Sequence, residues 1–141
     1  MKKMLVAGNH DNLGFPVCDD DAGMDLFVES DTWIHPKEIV KVRHNIQIAL
    51  PKRTFGYIMP RSSTIMQYWG ELVVMSSPID SGYRGEVFSV VKNIGNESIL
   101  VRKNERISQL VVLPFVSVYR KHVTSLPESE RGGKGFGSSG K

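Results

Sequence analysis

A chain of 141 residues with 40% hydrophobic and 23% charged side chains has the size and balance of one globular domain with a core of its own. Its single cysteine, Cys18, excludes an intrachain disulfide, and a net charge of +3 is too small to establish a nucleic-acid partner. The opening Met1 to Gly8 has too short an apolar run for a secretory leader, and the longest apolar stretch, residues 110–118, is interrupted by Pro114 and Ser117. No membrane span is therefore expected, and the expected location is cytoplasmic, or a host cell's cytoplasm or nucleus if the source is viral. Charge is unevenly spread: residues 1–31 set two lysines against seven carboxylates (net −5), and residues 102–141 set eight cations against three carboxylates (net +5). A basic end suits an anionic partner, although most such residues are simply solvated.

Short runs of β character follow one another along the chain, roughly every eight to twelve residues. They cover residues 24–28, 39–42, 45–50, 55–59, 72–75, 86–92, 98–101, 106–112 and 115–121, with turn signals such as Pro51-Lys52 and Lys103-Asn104 between them. Within 45–50, strict alternation places Ile46, Ile48 and Leu50 on one face. This punctuation predicts an all-β sandwich or barrel. One short helix is expected over 62–69, opened by serines suited to capping. The chain divides into a β-barrel domain, 1–130, and a glycine-rich, flexible C-terminal arm, 131–141.

Five stretches carry candidate chemistry. In Ala22-Gly23-Met24-Asp25-Leu26, Asp25 heads the first strand of that series behind an acidic cluster. In Pro60-Arg61-Ser62-Ser63, a guanidinium and two hydroxyls open the short helix, a suitable place for an anion. The runs 72–75 and 87–91 flank Ile79-Asp80-Ser81-Gly82-Tyr83-Arg84-Gly85-Glu86 and predict a hairpin, with Gly82 and Gly85 suited to a tight reversal. Such a tip holds Asp80 firmly enough to aim a water molecule. Glu105-Arg106-Ile107-Ser108-Gln109-Leu110 offers an amide, and the tail Arg131-Gly132-Gly133-Lys134-Gly135-Phe136-Gly137-Ser138-Ser139-Gly140 offers a cation, a ring and hydroxyls among glycines. The tail also fits G-x-x-x-x-G-K and G-x-G-x-x-G. Both matches are accidental, because each motif works by opening a helix and Lys141 is the last residue of the sequence. No histidines stand at metal-ligand spacing.

In order and approximate spacing the five stretches resemble the motifs of the homotrimeric dUTP pyrophosphatases, over residues 22 to 140. The resemblance implies an all-β fold, an antiparallel jelly-roll-like β-barrel with one short helix. It further implies hydrolysis of dUTP to dUMP and pyrophosphate with Mg2+, at three sites shared between subunits of a homotrimer and without nucleic-acid or membrane partners. Asp80 would activate water, and Asp25 would contact water on the magnesium that rides on the triphosphate. Arg61, Ser62, Ser63, Gln109, Arg131, Ser138 and Ser139 would hold phosphates. Tyr83 would pack on the deoxyribose and Phe136, beside Gly137, would cover the uracil, whose edge would be read in the region of Ser76, Ser77 and Ile79. The sequence departs from the family at Ser77-Pro78, where Gly-Val is usual, and at Asn104, where glycine is usual. Proline lacks an N–H, whereas asparagine tolerates the left-handed turn. Two competing readings are a dCTP deaminase-like enzyme, whose chemistry needs a glutamate where Val90 stands, and a non-catalytic binding or regulatory module.

Overall fold

The computed structural model describes residues 2–15 and 20–135. Among them are β1 (Leu5–Gly8), β2 (Gly23–Phe27), β3 (Thr32–Ile34), β4 (Ile39–Ala49), β5 (Thr54–Pro60), α1 (Ser62–Gln67), β6 (Leu72–Met75), β7 (Pro78–Asp80), β8 (Glu86–Asn93), β9 (Ile99–Val101) and β10 (Arg106–Pro114). One sheet runs β1-β4-β8-β6, the facing sheet runs β2-β10-β5-β7, and β3 pairs with β9 in a small third sheet. Every pairing is antiparallel. The result is the expected jelly-roll-like β-barrel with one short helix.

Alternation builds the core. Val87, Ser89, Val91 and Asn93 of β8 are buried and the residues between them are not. Ile46 and Ile48 point inward from β4 toward Leu26, Ile58, Ile107 and Leu110 of the facing sheet. Each fully buried side chain of this kind contributes roughly 2 kcal/mol. The runs 39–42 and 45–50 are one strand, whose register slips between Arg43 and Gln47 where Asn45 takes φ +53°. That left-handed residue is the break visible in the sequence.

Three short strands, β1, β3 and β7, were not expected from the sequence, whereas β6 and β9, which are as short, match the runs 72–75 and 98–101. Conversely, residues 115–121, expected as a strand, form none among the described residues: Phe115 N donates to Arg53 O at 3.1 Å, and Val116, Val118 and Tyr119 beyond it are exposed. Alternation licenses a strand only where an edge accepts it. The helix stops at Gln67, two residues early, because Trp69 (φ +52°) and Gly70 (φ +76°) turn the chain out. β6 and β8 pair as the hairpin reading requires, with Leu72 opposite Asn93 and Met75 opposite Val90. Their connection is not a tight reversal, however. It crosses to the other sheet and adds β7 as an edge strand, where a proline costs no ladder hydrogen bond.

One polar chain crosses the core. Nδ1 of fully buried His44 donates to Phe27 O at 2.8 Å, so Nε2 must accept the Ser89 hydroxyl at 2.7 Å. The Ser108 hydroxyl then donates to Ser89 Oγ at 2.5 Å. Burial holds this imidazole below its usual pKa of 6.5, so it is neutral when folded and takes a proton on unfolding. Stability is therefore complete above pH 6.5 and falls below it, by up to about 1.4 kcal/mol per pH unit. The urea midpoint should drop between pH 7.5 and pH 5.5, and His44→Gln should flatten that slope.

Candidate active site

The site residues gather in two places. β10 lies between β2 and β5, so Gln109 sits opposite Asp25 on one side and Met59 on the other. Arg61 follows β5 directly and turns back over these strands. Its Nε donates to Asp25 Oδ1 at 2.6 Å, and its Nη1 donates to Ser63 Oγ and to Arg106 O, each at 3.0 Å. Arg106 Nη1 reaches the other Asp25 oxygen at 3.1 Å, with its guanidinium 5.7 Å from the Phe27 ring centre. Gln109 Nε2 donates to Pro60 O at 3.1 Å. A Cβ at Gly23 would overlap the Gln109 amide, so a larger residue there would have to displace it. Asp25, Arg61, Gln109, Gly23, Asp21 and Phe15 border a cavity of about 320 Å³. On this wall the Arg61 guanidinium and the Gln109 amide are the donors beside the carboxylates of Asp25 and Asp21, while Arg106 pairs with Asp25 without lining the cavity.

Ser62 and Ser63 do not cap the helix. Arg61 is the N-cap residue and makes no side-chain cap bond, while Ser63 receives its guanidinium instead. The far end of α1 is anchored where the Tyr68 hydroxyl donates to Glu105 Oε2 at 2.9 Å, and Thr64 is buried beside Arg106. Asn104 takes φ +67°, the left-handed turn expected of it. Arg106 was not among the residues singled out by sequence. Counting by twos from Gln109 puts it on the opposite face, but a bulge between Arg106 and Ser108 turns it toward Asp25. An arginine three residues before that glutamine, next to a left-handed turn, is the only signal the sequence offers.

The second place surrounds β7. Asp80 is exposed and, among the described residues, its carboxylate has no ion pair or hydrogen bond, while Ile79 beside it is buried. The next turn closes with Tyr83 N donating to Asp80 O at 3.0 Å. Tyr83 folds back so that its hydroxyl donates to Glu86 O at 2.9 Å, and Gly85 is needed because a Cβ there would overlap the phenol. Gly85 thus serves close approach rather than the reversal. Ser77, Pro78, Ile79, Asp80, Tyr83 and Val90 are among the residues around a cavity of about 240 Å³. Glu86 also borders it but is engaged by Arg43 at 2.9 Å. Ser76 is exposed outside this wall.

The two places do not meet within one chain. Asp80 is opposite Phe55 on β5, whereas Arg61 lies beyond the strand's other end. Six residues of strand separate them by about 20 Å. Arg131 lines neither cavity, and its Nη2 donates to Gly135 O at 3.1 Å. Phe136, Gly137, Ser138 and Ser139 lie outside the described residues.

Comparison with known proteins bears on this arrangement. The sequence model of a family described as dUTPase matches residues 16–140. A deoxyuridine 5'-triphosphate nucleotidohydrolase of Clostridium kluyveri is 38% identical over 128 residues, covering 91% of this chain and 90% of that one. Its namesake in Clostridium novyi is 35% identical over 142 residues, 98% and 99% of the two chains. Among solved structures, the Staphylococcus bacteriophage 80alpha dUTPase with dUpNHpp superposes with a TM-score of 0.90 at 26% identity, covering 100% of both chains. A match across nearly the whole length, on a barrel of the same architecture, is decisive: the chain belongs to the dUTPase family.

Proposed function

We propose that this protein hydrolyses dUTP to dUMP and pyrophosphate at sites assembled from different copies of the chain. The observation that carries the reading is the division of the site: an arginine-lined, anion-accepting cavity and an unengaged carboxylate at a second cavity, each present once and about 20 Å apart along one strand. A neighbouring copy that brings its Asp80 to this chain's Arg61 completes the constellation. Closed symmetry with three such contacts makes a homotrimer. The exposed apolar segment beyond Pro114, including Val116, Val118, Tyr119 and Leu126, supports an assembly in which another copy covers it. Residues 131–141 are proposed as a separate arm that closes over the site, with Arg131, Ser138 and Ser139 on phosphate and Phe136, beside Gly137, on the base.

In this reading Arg61, Ser62, Ser63 and Gln109 grip the triphosphate and hold the α-phosphorus in line with a water. Asp80 accepts that water's proton as its oxygen bonds to phosphorus, and the electron pair of the breaking P–O bond leaves with pyrophosphate. Tyr83 packs on the sugar, and the strand around Ser76, Ser77 and Ile79 meets the base. The donor set fits Mg2+ brought by the substrate. Asp25 offers a hard oxygen ligand on this cavity, where Asp21 also stands, and among the described residues no three His, Cys, Asp or Glu side chains gather to hold an ion by themselves. When bound, the ion supplies charge neutralisation on the triphosphate, with Asp25 touching its water shell. Val90 in the wall of the Asp80 cavity, where a deaminase needs a glutamate, weighs against that alternative.

The test is pyrophosphate release in Mg2+ from dUTP, dTTP, dCTP and UTP. Release from dUTP alone is expected. No release from dUTP, or ammonia from dCTP, would overturn the proposal.

A further inference from the structure

The bend in β4 faces the turn that follows Asp80. Arg43 to Gln47 on β4 runs opposite only Phe88 to Glu86 on β8, so β4 bulges there, with Asn45 in the left-handed conformation. His44 and Ile46 of the bulge are buried, which leaves Arg43, Asn45 and Gln47 on its outer side. All three donate to the segment 84–86. Arg43 Nε and Nη2 reach the two Glu86 carboxylate oxygens at 2.9 and 3.2 Å, and Asn45 N reaches Glu86 Oε1 at 3.3 Å. Gln47 Nε2 donates to Arg84 O at 2.9 Å. Arg84 in turn braces the loop from within, its Nη1 donating to Ser81 O at 2.8 Å and to Tyr83 O at 2.7 Å. We propose that Gln47, which lines neither site cavity, is a positioning residue for Asp80 and acts through this turn. The inference rests on the reading of Asp80 as the base and deepens it.

Asp80 stands where the chain leaves one sheet for the other. It closes β7 opposite Phe55 of β5, and the next strand, β8, belongs to the facing sheet. On one side its backbone is therefore held by the β5 ladder. On the other it is held through Tyr83 N, which donates to Asp80 O at 3.0 Å, and so by whatever fixes the turn. Gln47 supplies the hydrogen bond that ties the backbone of that turn to β4. An exposed bond of this kind adds little to stability, because water takes its place on unfolding. It matters more to a reaction, in which a displacement of about 1 Å costs up to about 10²-fold. The exposure of Gln47 thus separates an effect on aim from an effect on the fold.

Steady-state turnover of dUTP by Gln47→Leu, measured beside its thermal midpoint, tests this. kcat should fall about tenfold, with KM and the midpoint near native. Gln47→Lys, which can still donate to Arg84 O, should recover most of the loss. Gln47→Glu, which has no donor and stands opposite Glu86, should not. In an Asp80→Asn background Gln47→Leu should cost nothing further, because no base remains to be aimed. Native kcat in Gln47→Leu would overturn the proposal, as would a loss that multiplies with that of Asp80→Asn. So would a lowered midpoint accompanying the loss, which would make Gln47 a support for the fold alone. Failure of the underlying reading has a different signature: Asp80→Asn would itself turn over dUTP at near the native rate.

Discussion

Asp80→Asn is expected to lower kcat for dUTP by about 10³-fold while leaving the Kd for dUpNHpp near the native value, since a positioned general base supplies roughly 10² to 10⁴. The exchange is isosteric and the side chain is exposed, with no partner among the described residues, so nothing in the barrel loses a contact. The thermal midpoint should therefore stay put, surface changes of this kind being worth about 0.5 kcal/mol or less. The effect falls on the chemical step because an amide cannot accept the proton of the attacking water, whereas on the reading proposed above the phosphates are gripped elsewhere. A variant retaining a third of native kcat would remove Asp80 from the mechanism. One that lost dUpNHpp binding in parallel would reassign it to holding substrate.

The second large effect concerns assembly. Arg61→Gln and Asp80→Asn chains should each be nearly inactive alone, yet refolded together in equal amounts they should recover about a quarter of the native rate. The fraction follows from counting. A site that draws Arg61 from one copy and Asp80 from the next is intact only when the first is an Asp80 variant and the second an Arg61 variant, each with even chance. Sites built within one chain would recover nothing, since every chain in the mixture carries one lesion. Arg61→Gln also leaves Asp25 with Arg106 as its remaining partner, so the mixture is to be compared with a native sample refolded in the same way.

The barrel was legible in the sequence wherever alternation coincided with burial, as at Ile46 and Ile48. It was illegible at β7, three residues whose Pro78 and Asp80 read as turn residues, and where two readable runs were one strand bent at Asn45. The site behaved similarly. Asp25, Arg61 and Gln109 do converge, because three neighbouring strands deliver them to one edge of one sheet. Arg106 required a bulge that no periodic reading can place. The serines at 62 and 63 looked like caps from their residue type, but capping depends on the backbone angles of the residue before the helix, and Arg61 holds that position. The run 115–121 has strand-forming residue types, but a strand is a property of two partners, and beyond Phe115 this segment has no ladder among the described residues.

The posture of Tyr83 has a final consequence. With the phenol hydrogen committed to Glu86 O, Tyr83 has no proton left to donate into the cavity it borders. On the reading proposed above, a ribonucleotide pressed against that ring would lose hydration from its extra hydroxyl and find no donor on Tyr83, a cost of about 1–3 kcal/mol. Sugar choice would then be partly a matter of dryness, decided before any crowding begins.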